Sequence, residues 1–194
     1  MATNTQDQNI GTFYQIARER DFARKFQFRI VQLGVGGVKP EDLIYAETAV
    51  LPGRTINNIA VPYMGLSFNV PGVASYPGSA GYKIAFRCDK DYHLRSKLEQ
   101  ELFRTFDDAT SAGQYSIPGQ DSVLSMVLTN KQNIAIRQYN LYGVYVQSID
   151  DEGYDIKDTG NVVTINTTIC YQYWKVVIPA GGFQQVTGRD SAGT

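Results

Sequence analysis

The chain is poor in the residues that carry chemistry. It has one histidine, His93, so any Ser-His-Asp or Cys-His arrangement would have to be built around that residue, at the start of a helix. A partly exposed helix residue is the simpler account of it. Its two cysteines, Cys88 and Cys170, are too few and too far apart for a disulfide framework or a zinc ribbon. Both fall in expected strands and read as buried thiols in a reducing compartment. Neither sign of charge dominates. Against 19 Asp and Glu stand 18 Lys and Arg, a net charge of −1 that argues against a protein gripping nucleic acid by counterion release. No apolar run approaches a membrane span, and the opening MATNTQDQN has no apolar signal core. A protein without membrane insertion, made and kept in cytoplasm-like conditions, is expected.

The motifs of common enzymes are also missing. Leu33-Gly34-Val35-Gly36-Gly37 has neither the Lys-Ser/Thr of a P-loop nor dinucleotide-binding spacing, which leaves a turn. Asn166-Thr167-Thr168 fits a glycosylation acceptor but reads as part of a strand. The run Asp150-Asp151-Glu152-Gly153-Tyr154-Asp155 departs from EF-hand spacing and reads as a solvated hairpin tip ahead of a calcium site. No carboxylate pair can be assigned to a pocket. The expectation is a non-enzyme with no catalytic residue, cofactor or resident metal.

What is present is a β-rich chain with an unusual aromatic balance. At 194 residues and 43% hydrophobic it is long enough for one sizeable domain. It carries 13 Tyr and 9 Phe against 1 Trp. Tyrosine suits half-buried interfaces, and it is equally a strand former, so the two readings weigh the same. The most informative stretch is Ala49-Val50-Leu51-Pro52-Gly53-Arg54 followed by Ile59-Ala60-Val61-Pro62-Tyr63-Met64-Gly65. Proline donates no backbone hydrogen bond, so these strands belong at sheet edges, strand starts or bulges. Such edges can meet other copies of the same chain.

Three regions are expected: an arm over residues 1–11, a folded domain over 12–175 and an extension over 176–194. A helix is expected from Thr12 to near Asp21, with Gln15 closing a capping box. Phe26 to Leu33 alternates as a strand with Phe26, Phe28 and Ile30 inward, and Ile44–Val50 is its expected hairpin partner. Thr55–Val61, Tyr63–Val70 and Tyr82–Cys88 read as further strands, with a Pro/Gly/Ser loop over residues 71–80. The long helix spans about Asp91 to Phe106, capped by Asp89 or Asp91, with Leu94, Leu98 and Leu102 widened by Phe103 and Phe106. Strands follow at Val123–Thr129, Asn133–Tyr139 and Leu141–Ile149. A long closing strand over Val162–Trp174 turns Val163, Ile165, Ile169, Tyr171 and Tyr173 to one face. The architecture is mainly antiparallel β, a barrel or sandwich with one packed helix.

Several collinear motifs resemble the tail tube proteins of contractile-tailed bacteriophages. They are Asp21-Phe22-Ala23-Arg24 before the first strand, Ala49–Gly53 with Leu51-Pro52, and Ile59–Gly65 with Val61-Pro62-Tyr63-Met64. Phe103-Arg104-Thr105-Phe106, Ile136-Arg137-Gln138-Tyr139 and Tyr171-Gln172-Tyr173-Trp174 follow in the same order. Together they cover about residues 12 to 175, and their order carries the resemblance, since each motif alone is weak. The chain departs from that pattern at Pro71–Ala80, at Asp107–Ser122 and after Trp174.

The resemblance implies a virion tail tube subunit, assembled in the host cytoplasm and lacking enzymatic activity. Its copies would form hexameric rings that stack inside a contractile sheath, with strands shared into one ring-wide barrel. Implied partners are the chain itself, the tail sheath, baseplate and terminator proteins. The tape measure protein and phage DNA would occupy the lumen without sequence-specific binding. A ring of the same fold that starts or ends the tube is the near alternative, as is the tube of a contractile injection or secretion system. A ligand-binding β-barrel with an apolar cavity is the alternative of another class.

Two expectations about charge follow. The lumen of a conduit should be acidic or mixed in sign, because each neutralised phosphate slows transit. Arg18, Arg20, Arg24, Lys25 and Arg29 are basic while Asp150, Asp151, Glu152, Asp155 and Asp158 are acidic, so these regions are candidates to meet across rings. With Leu51, Pro52, Tyr63 and Met64 they form the candidate assembly set. Two solvated surfaces that never touch are an equal account of the charged regions.

Overall fold

Alternating apolar residues on short strands build two open four-stranded antiparallel sheets rather than a closed barrel. The computed structural model describes residues 10–76 and 81–178. The first sheet has the order β1 (Phe28–Leu33), β8 (Val123–Thr129), β9 (Ala135–Tyr142), β12 (Tyr173–Val177). The second runs β10 (Tyr145–Ile149), β11 (Thr164–Cys170), β5 (Tyr82–Arg87), β2 (Ala46–Ala49). Phe86, Leu124, Leu141, Ile165 and Ile169 fill the space between them with no exposed surface. Burial on this scale is the main stabilising contribution to such a domain.

Helix α2 (His93–Thr105) lies along β10 and inserts Leu94 and Leu98 into the same core. Its start corrects the capping expectation, since neither Asp89 nor Asp91 is the N-cap residue. Tyr92 occupies the cap position in a left-handed conformation, and the Asp89 carboxylate accepts the His93 backbone N–H at 3.0 Å. A second bond of 2.7 Å joins Asp89 Oδ2 to His93 Nδ1. Partial desolvation raises the Asp89 pKa; the His93 contacts outweigh it and hold the carboxyl below its ordinary value. Phe103 and Phe106 do not widen the buried stripe as expected. Phe103 is exposed on the helix, and Phe106 lies beyond its end, exposed in the short strand β6 (Phe106–Asp107), which pairs with β7 (Ala112–Gly113).

The chain crosses between sheets where the sequence suggested continuous strands. The expected strand Val162–Trp174 is two strands, β11 in one sheet and β12 in the other. The break falls at Tyr171-Gln172, where the Gln172 N–H donates to Tyr142 O at 2.9 Å. Beside it, Gly143 turns β9 into β10 with φ +65, and a Cβ there would lie 2.6 Å from Gln172 Cγ. Two chain crossings are pressed together, so only glycine fits. This also moves the expected break between Tyr139 and Leu141 to residue 143.

Other expectations are corrected. The segment Ile44–Val50 is no hairpin partner of β1. Its strand β2 pairs with β5, Ala46 opposite Phe86 and Ala49 opposite Ile84, after a 3-10 turn at Asp42–Tyr45. Phe26 precedes β1 and is 78% exposed, while a register shift between Ile30 and Gln32 turns Leu33 inward instead. Helix α1 (Ile10–Arg20) already includes Thr12, so that residue sits inside the helix and not at its cap. None of the α1 residues is buried. Of the expected arm, loop and extension, residues 1–9, 77–80 and 179–194 lie outside the described residues, and residues 71–75 of the expected loop belong to the strand Leu66–Ser75. Neither cysteine forms a disulfide among the described residues; Cys88 is only partly buried, and Cys170 is buried and donates to Gln147 Oε1 at 3.0 Å.

Candidate assembly surface

The Pro-bearing stretch forms a structure of its own. β3 (Thr55–Tyr63) and β4 (Leu66–Ser75) pair only with each other, as a long two-stranded hairpin. Met64 and Gly65 make the turn, with φ of 48 and 81. Positive φ at both central positions is the turn whose twist matches paired strands. Pro62 lies inside β3 and is tolerated because the hairpin belongs to neither main sheet.

Register decides which side chains share a face. Ile59 stands opposite Val70, Val61 opposite Phe68, and Tyr63 opposite Leu66. Directly opposed residues point the same way, so these six make one wholly apolar face. Ala60 opposite Asn69 and Pro62 opposite Ser67 make the other, more polar face. Every one of the six apolar side chains is exposed, and Met64 at the tip is 84% exposed. A two-stranded hairpin is at best marginally stable in water unless its apolar face is covered. Contiguous apolar surface of this kind marks a contact site.

The base of the hairpin is fixed while its length is free. The Trp174 indole N–H donates to Gly53 O at 2.9 Å, and the Trp174 ring meets Tyr76 edge-on at 6.4 Å. The Arg54 guanidinium lies 5.7 Å from the Tyr76 ring centre. Of the sequence candidates, Pro52 is buried at this base, whereas Leu51, Tyr63 and Met64 are exposed. The sequence candidates on this hairpin were Tyr63 and Met64, without Ile59, Val61, Leu66, Phe68 or Val70. The available signal was the alternation of three apolar residues on either side of Met64-Gly65.

The charged candidates are also exposed. Among the described residues Arg18, Arg20, Arg24, Lys25 and Arg29 make no ion pair, and the ion pair in this region joins Lys131 to Asp21. Asp155 and Asp158 shape their loop by accepting N–H groups of Lys157, Gly160 and Asn161, each at 2.9 Å. Among the described residues, the acidic and histidine side chains that converge as a cation site would are Asp89, Asp91 and His93, not the 150–158 loop. Open grooves mark the surface, and side chains fill the space between the sheets.

Comparison with known proteins bears on the fold. No protein-family model matches the chain. Among curated proteins it is 24% identical over 159 residues to Apolipophorins of Manduca sexta, covering 71% of this chain and 5% of that protein. The chain thus spans a small fraction of that relative's length, and the likeness assigns it no role. Solved structures are more informative. The tube-terminating cap of the anti-feeding prophage superposes with a TM-score of 0.57 at 13% identity, covering 81% of this chain and 91% of that one. A chain of the PVC sheath–tube complex, an extracellular contractile injection system, gives 0.54 at 15% identity, covering 91% and 99%. The fold is that of contractile injection tube and cap proteins. The PVC sheath/tube terminator shares the tube fold as well, at 0.53 and 15% identity over 80% of this chain and 96% of that one. The exposed hairpin is thus set on a fold shared with these tube, cap and terminator proteins.

Proposed function

We propose that the chain is a tube subunit of a contractile tail, with other copies of itself as its main partner. The observation that carries this reading is the amphipathic hairpin, whose six apolar side chains face solvent in the single chain. A second copy is the natural cover, since the resemblance to tail tube proteins implies rings of copies and two further strand edges, β1 and β12, stand at the ends of their sheet. Unpaired edges invite strand addition, and a ring of copies removes them. A small barrel of about eight strands fills its own interior, so a conduit needs strands from several copies. Stacking then uses a head-to-tail contact that does not close.

The finer reading is a bacteriophage tail tube of hexameric rings inside a sheath, with an acidic or mixed lumen that passes DNA without holding it. The tape measure, sheath, baseplate and terminator proteins would complete its partners. A second reading, a ring that ends the tube, is favoured by the superposition on a tube-terminating cap.

Negative-stain electron microscopy of the purified protein over a range of concentrations tests both. Hollow tubes of uniform width are expected of the tube subunit, and isolated rings of a terminator. A protein that stays monomeric at every concentration contradicts the proposal.

A further inference from the structure

We infer that the acidic 150–163 loop of one copy docks in an aromatic groove with a basic rim on a second copy. This inference rests on the self-assembling reading above but on surfaces separate from the hairpin. The groove opens between the start of β1 and strand β2, with a volume of about 660 Å³. Phe26, Phe28, Ile44 and Tyr45 supply its apolar lining, and Lys25 and Arg87 stand in its wall. Glu47 is also there, already occupied by Arg87 at 3.4 Å. Among the described residues Lys25 makes no ion pair, nor do Arg24 and Arg29 on either side of it or Arg18 and Arg20 on α1.

The loop offers the matching chemistry. Residues 150–158 carry five carboxylates, Asp150, Asp151, Glu152, Asp155 and Asp158, against the single cation Lys157. Among the described residues none of the five pairs with a cation, although Asp155 and Asp158 bond to backbone N–H groups that hold the loop in shape. Apolar side chains stand out among these charges. Ile156 is fully exposed, and Tyr154 and Val162 are largely so. The Tyr154 hydroxyl, 3.1 Å from that of Tyr92, ties this loop to the start of α2.

An exposed isoleucine inside an acidic loop and an apolar groove with a basic rim are complementary in shape and in sign. No hydrogen bond or ion pair joins them within one chain among the described residues. Because every copy carries both halves, each can give its loop to one neighbour and receive a loop from another, which is the head-to-tail arrangement of an open assembly. Charge at such a contact sets register and encounter rate more than strength, and Ile156 supplies the anchor. The contact weakens as salt screens its charges.

A charge swap tests this with the full chain. Asp150→Lys with Asp151→Lys is expected to raise the lowest assembling concentration about tenfold or more, and so is Arg24→Glu with Lys25→Glu; each variant keeps the wild-type melting temperature. Ile156→Asp should act in the same direction. Combining the two reversed pairs should restore most of the lost assembly. Arrest as free rings would place the contact between rings, and arrest as monomers within a ring; both support it. Loop variants that assemble at the wild-type concentration, or a swap whose defects simply multiply, overturn it. In that case hairpin variants that still fail to assemble leave the tube reading standing, whereas a wild-type protein that never assembles removes both.

Discussion

Replacing Val61 and Phe68 by aspartate is expected to abolish assembly while leaving the subunit folded. The two residues oppose each other across the hairpin, at the centre of its apolar face. Both are exposed in the single chain, so the substitution opens no cavity and buries no charge within it. Surface changes of that kind usually alter stability by within about 0.5 kcal/mol. In an assembly the same positions are covered, and two carboxylates would lose their water without gaining partners. Buried unpaired charge costs several kcal/mol per ion, far more than a contact repeated between copies can absorb. Circular dichroism and the melting temperature should match wild type, while sedimentation should show only the single subunit. Assembly at wild-type concentrations would remove the hairpin from the account.

The opposite pattern is expected at Phe86. This side chain is fully buried, and its strand lies between β2 and β11, with Ala46 opposite on one side and Ile165 on the other. Phe86→Ala removes most of a ring from between the two sheets and leaves a cavity that rigid strands close poorly. Losses of about 3–5 kcal/mol are typical for such a change. For a domain of this size that corresponds to a fall in melting temperature of roughly 6–20 °C. Chemical denaturation measures it directly. Assembly should survive below the lowered melting temperature, because the residue touches no exposed surface. A change below about 1 kcal/mol would mean the core is not packed as described. The two variants together separate folding from association.

The sequence was legible where one periodicity served one environment. Val123–Thr129 is strand β8 as expected, and Tyr82–Cys88 closely matches β5, because their inward residues repeat with little interruption. Leu94 and Leu98 were placed on the buried face of the long helix, where they lie. Legibility failed where an element changes partner. A run such as Val162–Trp174 alternates throughout, yet Thr164–Cys170 belongs to one sheet and Tyr173-Trp174 to the other, since alternation reports a buried face and not which sheet provides it. Phe26 and Phe103 looked like core and are exposed. An apolar residue awaiting another subunit has the same signature as one facing the core. The hairpin was split at Pro62 for a related reason: proline argues against a paired strand, while Met64-Gly65 carried the true turn. Pro52 was grouped with the assembly surface by its neighbours and is buried at the hairpin base. The charged candidates were visible as composition alone, and the groove that gives the basic ones a purpose depends on β2 leaving β1 for β5.

The central claim is that the apolar face of the hairpin is covered by another copy. Hydrogen exchange over residues 55–75, measured in the assembled and the dissociated protein, tests it most directly. The account predicts rapid exchange along the hairpin in the single subunit and slowing of about tenfold or more on assembly, as cooperative opening of the covered strands becomes costly. Equal exchange rates for the hairpin in both states, with protection gained elsewhere, would contradict it.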